Sequence, residues 1–286
     1  MTAPPATTEL TGFGLAAALE LTPDADRDPA TADLVRRALD DHGVLVLRGL
    51  HLDNARYRDF AGAFGTREAV FPAAHRDPGW PEIRLQSNVA GEGVAAGGEY
   101  WHADGPLTEV PTALTFLLCE RAPADGGETL FADMRRALDL LDPADRERAG
   151  GALGRYPCRE IAVREMRDAG VPPEEQAAKL AELRDLTHPV VRTHPRTGRP
   201  ALYLNQQWMT AVVGEPDDAL LQRLYAAATA PGNVYRHRWR PGDLLLWDNA
   251  AVMHRALPPG PGSLKTTRRI TIAGAPVPSP RPSEAA

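Results

Sequence analysis

Short apolar runs, each stopped by glycine, proline, asparagine or aspartate, constrain this chain more than any other feature. VLVLRGL (44–50), TALTFLLCE (112–120), ETLFADM (128–134), VVRTH (190–194), ALYL (201–204), YRHRW (235–239), DLLLWDN (243–249), AVMHRAL (251–257) and RRITIAG (268–274) all read as strands. Helical spacing appears in fewer places. TADLVRRALDDHG (31–43) puts Leu34, Ala38 and Leu39 on one stripe and ends at Gly43, a helix stop; NARYRDFAGAFG (54–65) follows, with further helices near 131–148, 173–186 and 216–230. Many short strands with few helices predict a mainly β fold, a double-sheet barrel buttressed by α-helices, in preference to a generic mixed α+β domain.

The chain's 286 residues suffice for one large domain with a substantial core. A net charge of −6 gives no reason to expect a nucleic acid or an anionic membrane as partner. No apolar stretch approaches the roughly 20 residues that span a bilayer, and the N-terminus has no signal-peptide pattern. Cys119 and Cys158 are too few for a disulfide framework or a four-thiolate metal site, so the cytoplasm is the default location. Residues 1–10 and 276–286 are rich in Pro, Ser, Thr and Ala and read as loose ends flanking a single domain, 11–275.

The segment GGEYWHADGPLTE (97–109) carries the first chemical signal. On an extended backbone His102 and Asp104 point to one face, because side chains alternate with period two. The pair can grip a metal ion or be a surface hydrogen-bonding pair, and its spacing alone does not decide. A third candidate ligand, His254, stands on the strand after DLLLWDN. Two histidines and a carboxylate form the facial triad of non-haem Fe(II) oxygenases, which leaves coordination positions open for cosubstrate and oxygen.

Four motifs in order give a specific resemblance: WHADG (101–105), GGETLFADM (126–134), GDLLLWDNAAVMHRA (242–256) and RRITIAG (268–274), preceded by DHGVLVLRGL (41–50). Together they resemble the Fe(II)/2-oxoglutarate-dependent dioxygenases of the taurine dioxygenase (TauD/TfdA) family. The resemblance implies a double-stranded β-helix (jelly roll) core packed with α-helices, with a helical insertion near 131–186. It implies Fe(II), 2-oxoglutarate as cosubstrate and O2, with His102, Asp104 and His254 as metal ligands and catalytic centre and Thr129 among the cosubstrate contacts. The expected reaction is hydroxylation of an unactivated C–H bond in an amino-acid-like or natural-product small molecule, free or carrier-tethered. Desaturation or oxidative cyclisation uses the same cofactors, and a homo-oligomer is compatible with the family.

The far carboxylate of 2-oxoglutarate needs a fixed cation. In LKTTRRITIAG (264–274), Lys265, Thr267, Arg269 and Thr271 share one strand face, opposite Arg268, Ile270 and Ile272. The resemblance implies two arginines four apart here, yet Lys265 stands at the first position. Arg269 is the expected clamp because its planar fork matches a carboxylate, with Lys265 as the alternative point charge. Gly98 replaces the asparagine of the taurine-specific enzyme, which argues against taurine as substrate.

His42, His51, His188, His194 and His237 carry no motif and read as surface or helix-end residues; His75, Glu99, Tyr100 and Asn88 are weak substrate contacts. Arg192, Arg196 and Arg199 read as a solvated hairpin. A G-x-S-x-G elbow and phosphate-loop motifs are absent. A non-catalytic jelly roll that binds metal or ligand would not need the cosubstrate clamp, nor would a Zn hydrolase. A radical halogenase would have a small residue in place of Asp104.

Overall fold

The computed structural model describes residues 7–94 and 97–275. An eight-stranded sheet runs in the order Thr7–Glu9, Ala16–Glu20, Val44–Arg48, Leu244–Asp248, Leu114–Arg121, Thr266–Ile272, Trp80–Ser87, Arg76–Asp77. A three-stranded sheet, Val234–His237, Thr129–Asp133 and Val252–Ala256, faces it. The strands make the jelly-roll core expected from the sequence, but the two sheets do not close into a barrel among the described residues.

Alternation along each strand builds three apolar layers. Leu244 and Leu246, Phe116 and Leu118, and Ile270 and Ile272 pack outward with Val35, Tyr57 and Phe60 of the helices Pro29–His42 and Asn54–Gly62. Leu245, Trp247, Leu117, Phe131 and Val252 fill the space between the sheets. Met134, Tyr156, Ile161, Leu204 and Leu224 join the outer face of the small sheet to the remaining helices. Phe116 is fully buried in the first layer, and truncating such a ring to alanine costs about 3–5 kcal/mol.

Local signals set the helix ends. Asp28 caps Pro29–His42 by accepting from the Ala30 N–H, Pro29 opens it, and Gly43 closes it at φ 88°, donating to the Leu39 carbonyl. Only glycine takes that left-handed turn at little cost. The buried stripe includes Val35 rather than the half-exposed Leu34. The insertion carries helices Met134–Asp139, Pro143–Gly150, Cys158–Asp168 and Pro173–Glu182, the third being additional to those expected, and Ala219–Ala228 follows later.

Two expectations need correction. Thr7–Glu9 is an edge strand paired with Ala17–Leu19, so the N-terminal segment 1–10 is not loose throughout; residues 1–6 and the tail 276–286 lie outside the described residues. His188, His194 and His237 are buried, not surface residues. The described cysteines are free and buried, and no described helix is long and apolar enough to cross a membrane.

Candidate active site

His102 and His254 meet across a bridge between the HxD segment and the small sheet. The His102 N–H donates to the His254 carbonyl at 3.0 Å, and the His254 N–H returns the bond at 2.7 Å. The rings lie 4.0 Å apart by centroid. Asp104 completes the group: its Oδ1 is 3.9 Å from His102 Nε2 and its Oδ2 is 3.9 Å from His254 Nε2. These separations are too long for direct hydrogen bonds. Two ligands each about 2.1 Å from one ion can stand up to about 4.2 Å apart, so the three side chains fit a shared divalent metal.

Supporting contacts orient the His102 ring. The His102 Nδ1–H donates to the Tyr100 carbonyl at 2.8 Å, which leaves Nε2 as the free lone pair. Burial pushes His102 down, outweighing Asp104, and burial together with His102 pushes His254 down further. Neutral imidazole is the form that binds metal. Burial alone would raise the Asp104 carboxyl; Arg269, the two histidines and Thr115 outweigh it and hold the group well below the usual carboxylate range.

Asp104 is gripped on every side. Thr115 donates to Oδ2 at 2.6 Å and Arg269 lies 2.6 Å from Oδ1. Asn249 accepts from the Asp104 N–H and the Trp247 indole, and donates to Thr115 at 3.0 Å. Asn205 holds the neighbouring Ala103 carbonyl at 3.0 Å. Gly98 adopts φ +88°, and a Cβ there would sit 2.7 Å from His102 Cε1. The glycine that departs from the taurine-specific pattern therefore makes room for the His102 ring.

Thr129 and Lys265 occupy a second corner. His254 is opposite Phe131 and Ala256 is opposite Thr129, so Thr129 lies two residues, about 7 Å, along the same face. The Trp239 indole donates to Thr129 Oγ1 at 3.2 Å, and Lys265 Nζ lies 4.8 Å from the Trp239 ring centroid while donating to the Gly127 carbonyl at 2.7 Å. Burial lowers the Lys265 ammonium to about 8. Arg269 is elsewhere, against Asp104, and across the strand pair from Arg84.

Several of these residues had no sequence signal: Thr115, Asn205, Asn249, Trp239 and Arg84. Asn88, read as a substrate contact, instead bonds the backbone of Ser263 and Lys265 and fixes the turn before the last strand. A second histidine–carboxylate group, Asp40, His194 and Asp248, is also close-set. Here His194 Nε2–H donates to Asp248 at 3.0 Å, and Arg196 lies 2.6 Å from Asp40 and 2.9 Å from Asp248. The arginine already supplies the positive charge, so this is a satisfied ion-pair network and not a second metal site. Arg192, expected in solvent, is buried 4.3 Å from the Tyr203 ring centroid.

The fold and the triad define a non-haem oxygenase of the facial-triad class. The family model for taurine catabolism dioxygenase TauD, TfdA family matches residues 6–271, and the chain belongs to that family. It is 30% identical over 270 residues to the (S)-phenoxypropionate/alpha-ketoglutarate-dioxygenase of Delftia acidovorans, covering 87% of this chain and 88% of that one. Pentalenolactone F synthase of Streptomyces arenae is 32% identical over 265 residues, covering 86% and 87%. The crystal structure of AAD-2 in complex with Mn(II) and N-oxalylglycine superposes with a TM-score of 0.77 at 26% identity, covering 96% of this chain and 98% of that one. The protein is an alpha-ketoglutarate-dependent dioxygenase that uses Fe(II), 2-oxoglutarate and O2.

Proposed function

We propose that this enzyme couples oxidative decarboxylation of 2-oxoglutarate to hydroxylation of an unactivated C–H bond in a small-molecule substrate. The observation that carries the reading is the convergence of His102, Asp104 and His254 with Asp104 intact and firmly oriented. Fe(II) held by these three side chains supplies the oxidising chemistry together with 2-oxoglutarate and O2. The carboxylate at Asp104 occupies the position that a halogenase would leave to halide. The relatives' names, a phenoxypropionate dioxygenase and pentalenolactone F synthase, support a small organic substrate.

Lys265 takes the cosubstrate's far carboxylate in this reading, with Thr129, which reverses the preference for Arg269 drawn from the sequence. The support is positional. Thr129 and Lys265 flank one corner about 7 Å along the strand from His254, a reach suited to a five-carbon diacid chelating the metal at its other end. Arg269 is too close to Asp104 for that span and is left for the substrate side. The test is succinate formation that requires O2 and rises with substrate in a screened panel, with a product that gains one oxygen atom. Products lacking two hydrogens would show desaturation or cyclisation instead, and substrate consumption without succinate would refute the coupling.

A further inference from the structure

The polarity of one buried amide decides where a neighbouring proton goes. Two N–H groups, the Asp104 backbone amide at 3.0 Å and the Trp247 indole at 3.2 Å, point at the same end of the Asn249 side chain. Only an oxygen accepts from both, so the opposite end is the –NH2 group. Turning the amide over would set two buried donors against that –NH2, leaving both unsatisfied. The –NH2 end donates to Thr115 Oγ1 at 3.0 Å. A threonine hydroxyl has one proton to give. Since Asn249 is already the donor on its side, the Thr115 proton goes to Asp104 Oδ2, 2.6 Å away, as a short charge-assisted bond. Thr115 is fully buried, so no solvent competes for that proton.

The backbone of Asp104 is held by the same amide. His102 pairs with His254 in an isolated bridge, and beyond it residues 103–104 lie in no strand. The Ala103 carbonyl and the Asp104 N–H belong to one peptide unit, and two asparagines grip its two edges. Asn249 Oδ1 accepts from the N–H, while Asn205 Nδ2 donates to the carbonyl at 3.0 Å. Asn205 is oriented in turn by the Trp208 N–H, which donates to its Oδ1 at 3.3 Å, and the Asn249 N–H is anchored on the Ala113 carbonyl at 2.9 Å. Fixing this peptide plane fixes the direction in which the Asp104 side chain leaves the chain, and a metal ligand has to be held within about 0.5 Å. We propose that Asn249 is a positioning residue for Asp104, setting its backbone direct and its carboxylate through the Thr115 proton. The proposal rests on the reading of Asp104 as a metal ligand.

The test is a double-mutant cycle on the full chain: wild type, Thr115→Val, Asn249→Asp and the two combined, each titrated with Mn(II) by calorimetry in the presence of 2-oxoglutarate. Asn249→Asp keeps the side chain's shape and still accepts from the Asp104 N–H and the Trp247 indole. Its second oxygen is an acceptor, however, and draws the Thr115 proton away from Asp104. Thr115→Val should weaken Mn(II) binding about 10- to 100-fold in an otherwise wild-type chain, but change it by less than about 2-fold in the Asn249→Asp background. A residue that merely supports the turn would leave the cost of Thr115→Val equal in both backgrounds, and that additive result overturns the proposal. Should Asn249→Asp fail to fold, neutron diffraction from metal-free wild-type crystals decides: the deuteron on Thr115 Oγ1 should point to Asp104 Oδ2, and one pointing to Asn249 overturns the proposal. A wild type that binds no Mn(II) would refute the ligand reading itself, whereas an additive cycle in a chain that does bind it refutes only the role given to Asn249.

Discussion

Replacing Lys265 with methionine separates the cost of a buried cation from its use. Burial lowers the ammonium from 10.5 to about 8, a drop that corresponds to about 3 kcal/mol. The unfolded chain holds this proton more tightly than the folded one, so the penalty is full below about pH 8 and is relieved as pH rises toward 10.5. Methionine removes the charge but also the bond to the Gly127 carbonyl and the contact with Trp239, together about 1–2 kcal/mol. The variant should therefore be more stable at neutral pH by about 1–2 kcal/mol, a rise of a few degrees in melting temperature. Its KM for 2-oxoglutarate should rise about 10- to 100-fold, since a charge-assisted bond to the far carboxylate is lost. In the wild type that KM should climb above about pH 8, as the ammonium deprotonates, whereas Lys265→Arg should keep it level because a guanidinium stays charged. Succinate release against 2-oxoglutarate concentration, from pH 7 to 9.5, reads all of this. An unchanged KM in Lys265→Met, or a larger rise in Arg269→Met, would refute the assignment.

Three further outcomes follow from the contacts. Thr115→Val removes the donor 2.6 Å from Asp104 Oδ2, and Mn(II) affinity by calorimetry should fall about 10- to 100-fold. Gly98→Ala places a Cβ against the His102 ring at a left-handed backbone position, so both metal affinity and succinate formation should drop while the far-ultraviolet circular dichroism is retained. Asp248→Ala leaves Arg196 and His194 without their buried partner; chemical denaturation should show a loss of about 3–5 kcal/mol, with metal stoichiometry still one ion per chain.

The convergence of His102, Asp104 and His254 was legible because the three residues come with flanking motifs, WHADG and GDLLLWDNAAVMHRA, even though 152 positions separate His102 from His254. The supports of the triad were not. Thr115 and Asn249 are ordinary polar residues in strand and turn, and only the pairing of Leu114–Arg121 with Leu244–Asp248 brings them together at Asp104. The strand Trp80–Ser87 was not among the expected strands; polar residues (Glu82, Arg84, Gln86) interrupt its apolar ones, and only its pairing with Thr266–Ile272 defines it. Ala16–Glu20 carries three alanines, which favour helix; here Ala16–Leu19 are buried in a strand parallel to Val44–Arg48, where tertiary packing overrides propensity. Cys158–Asp168 carries a helical stripe at Cys158, Ile161, Ala162 and Met166, but no side-chain cap marks its start. Lys265 and Arg269 read alike in the sequence, four apart on one face; their surroundings differ only in the fold, Lys265 lying over the Trp239 ring and Arg269 against Asp104.

Calorimetric titration of Mn(II) in the presence of 2-oxoglutarate, comparing the wild type with His254→Ala and Asp104→Ala, probes the shared centre most directly. The wild type should take up one ion per chain and each variant should lose measurable binding at that site. Full-strength binding in either variant would mean that these side chains do not hold a common ion.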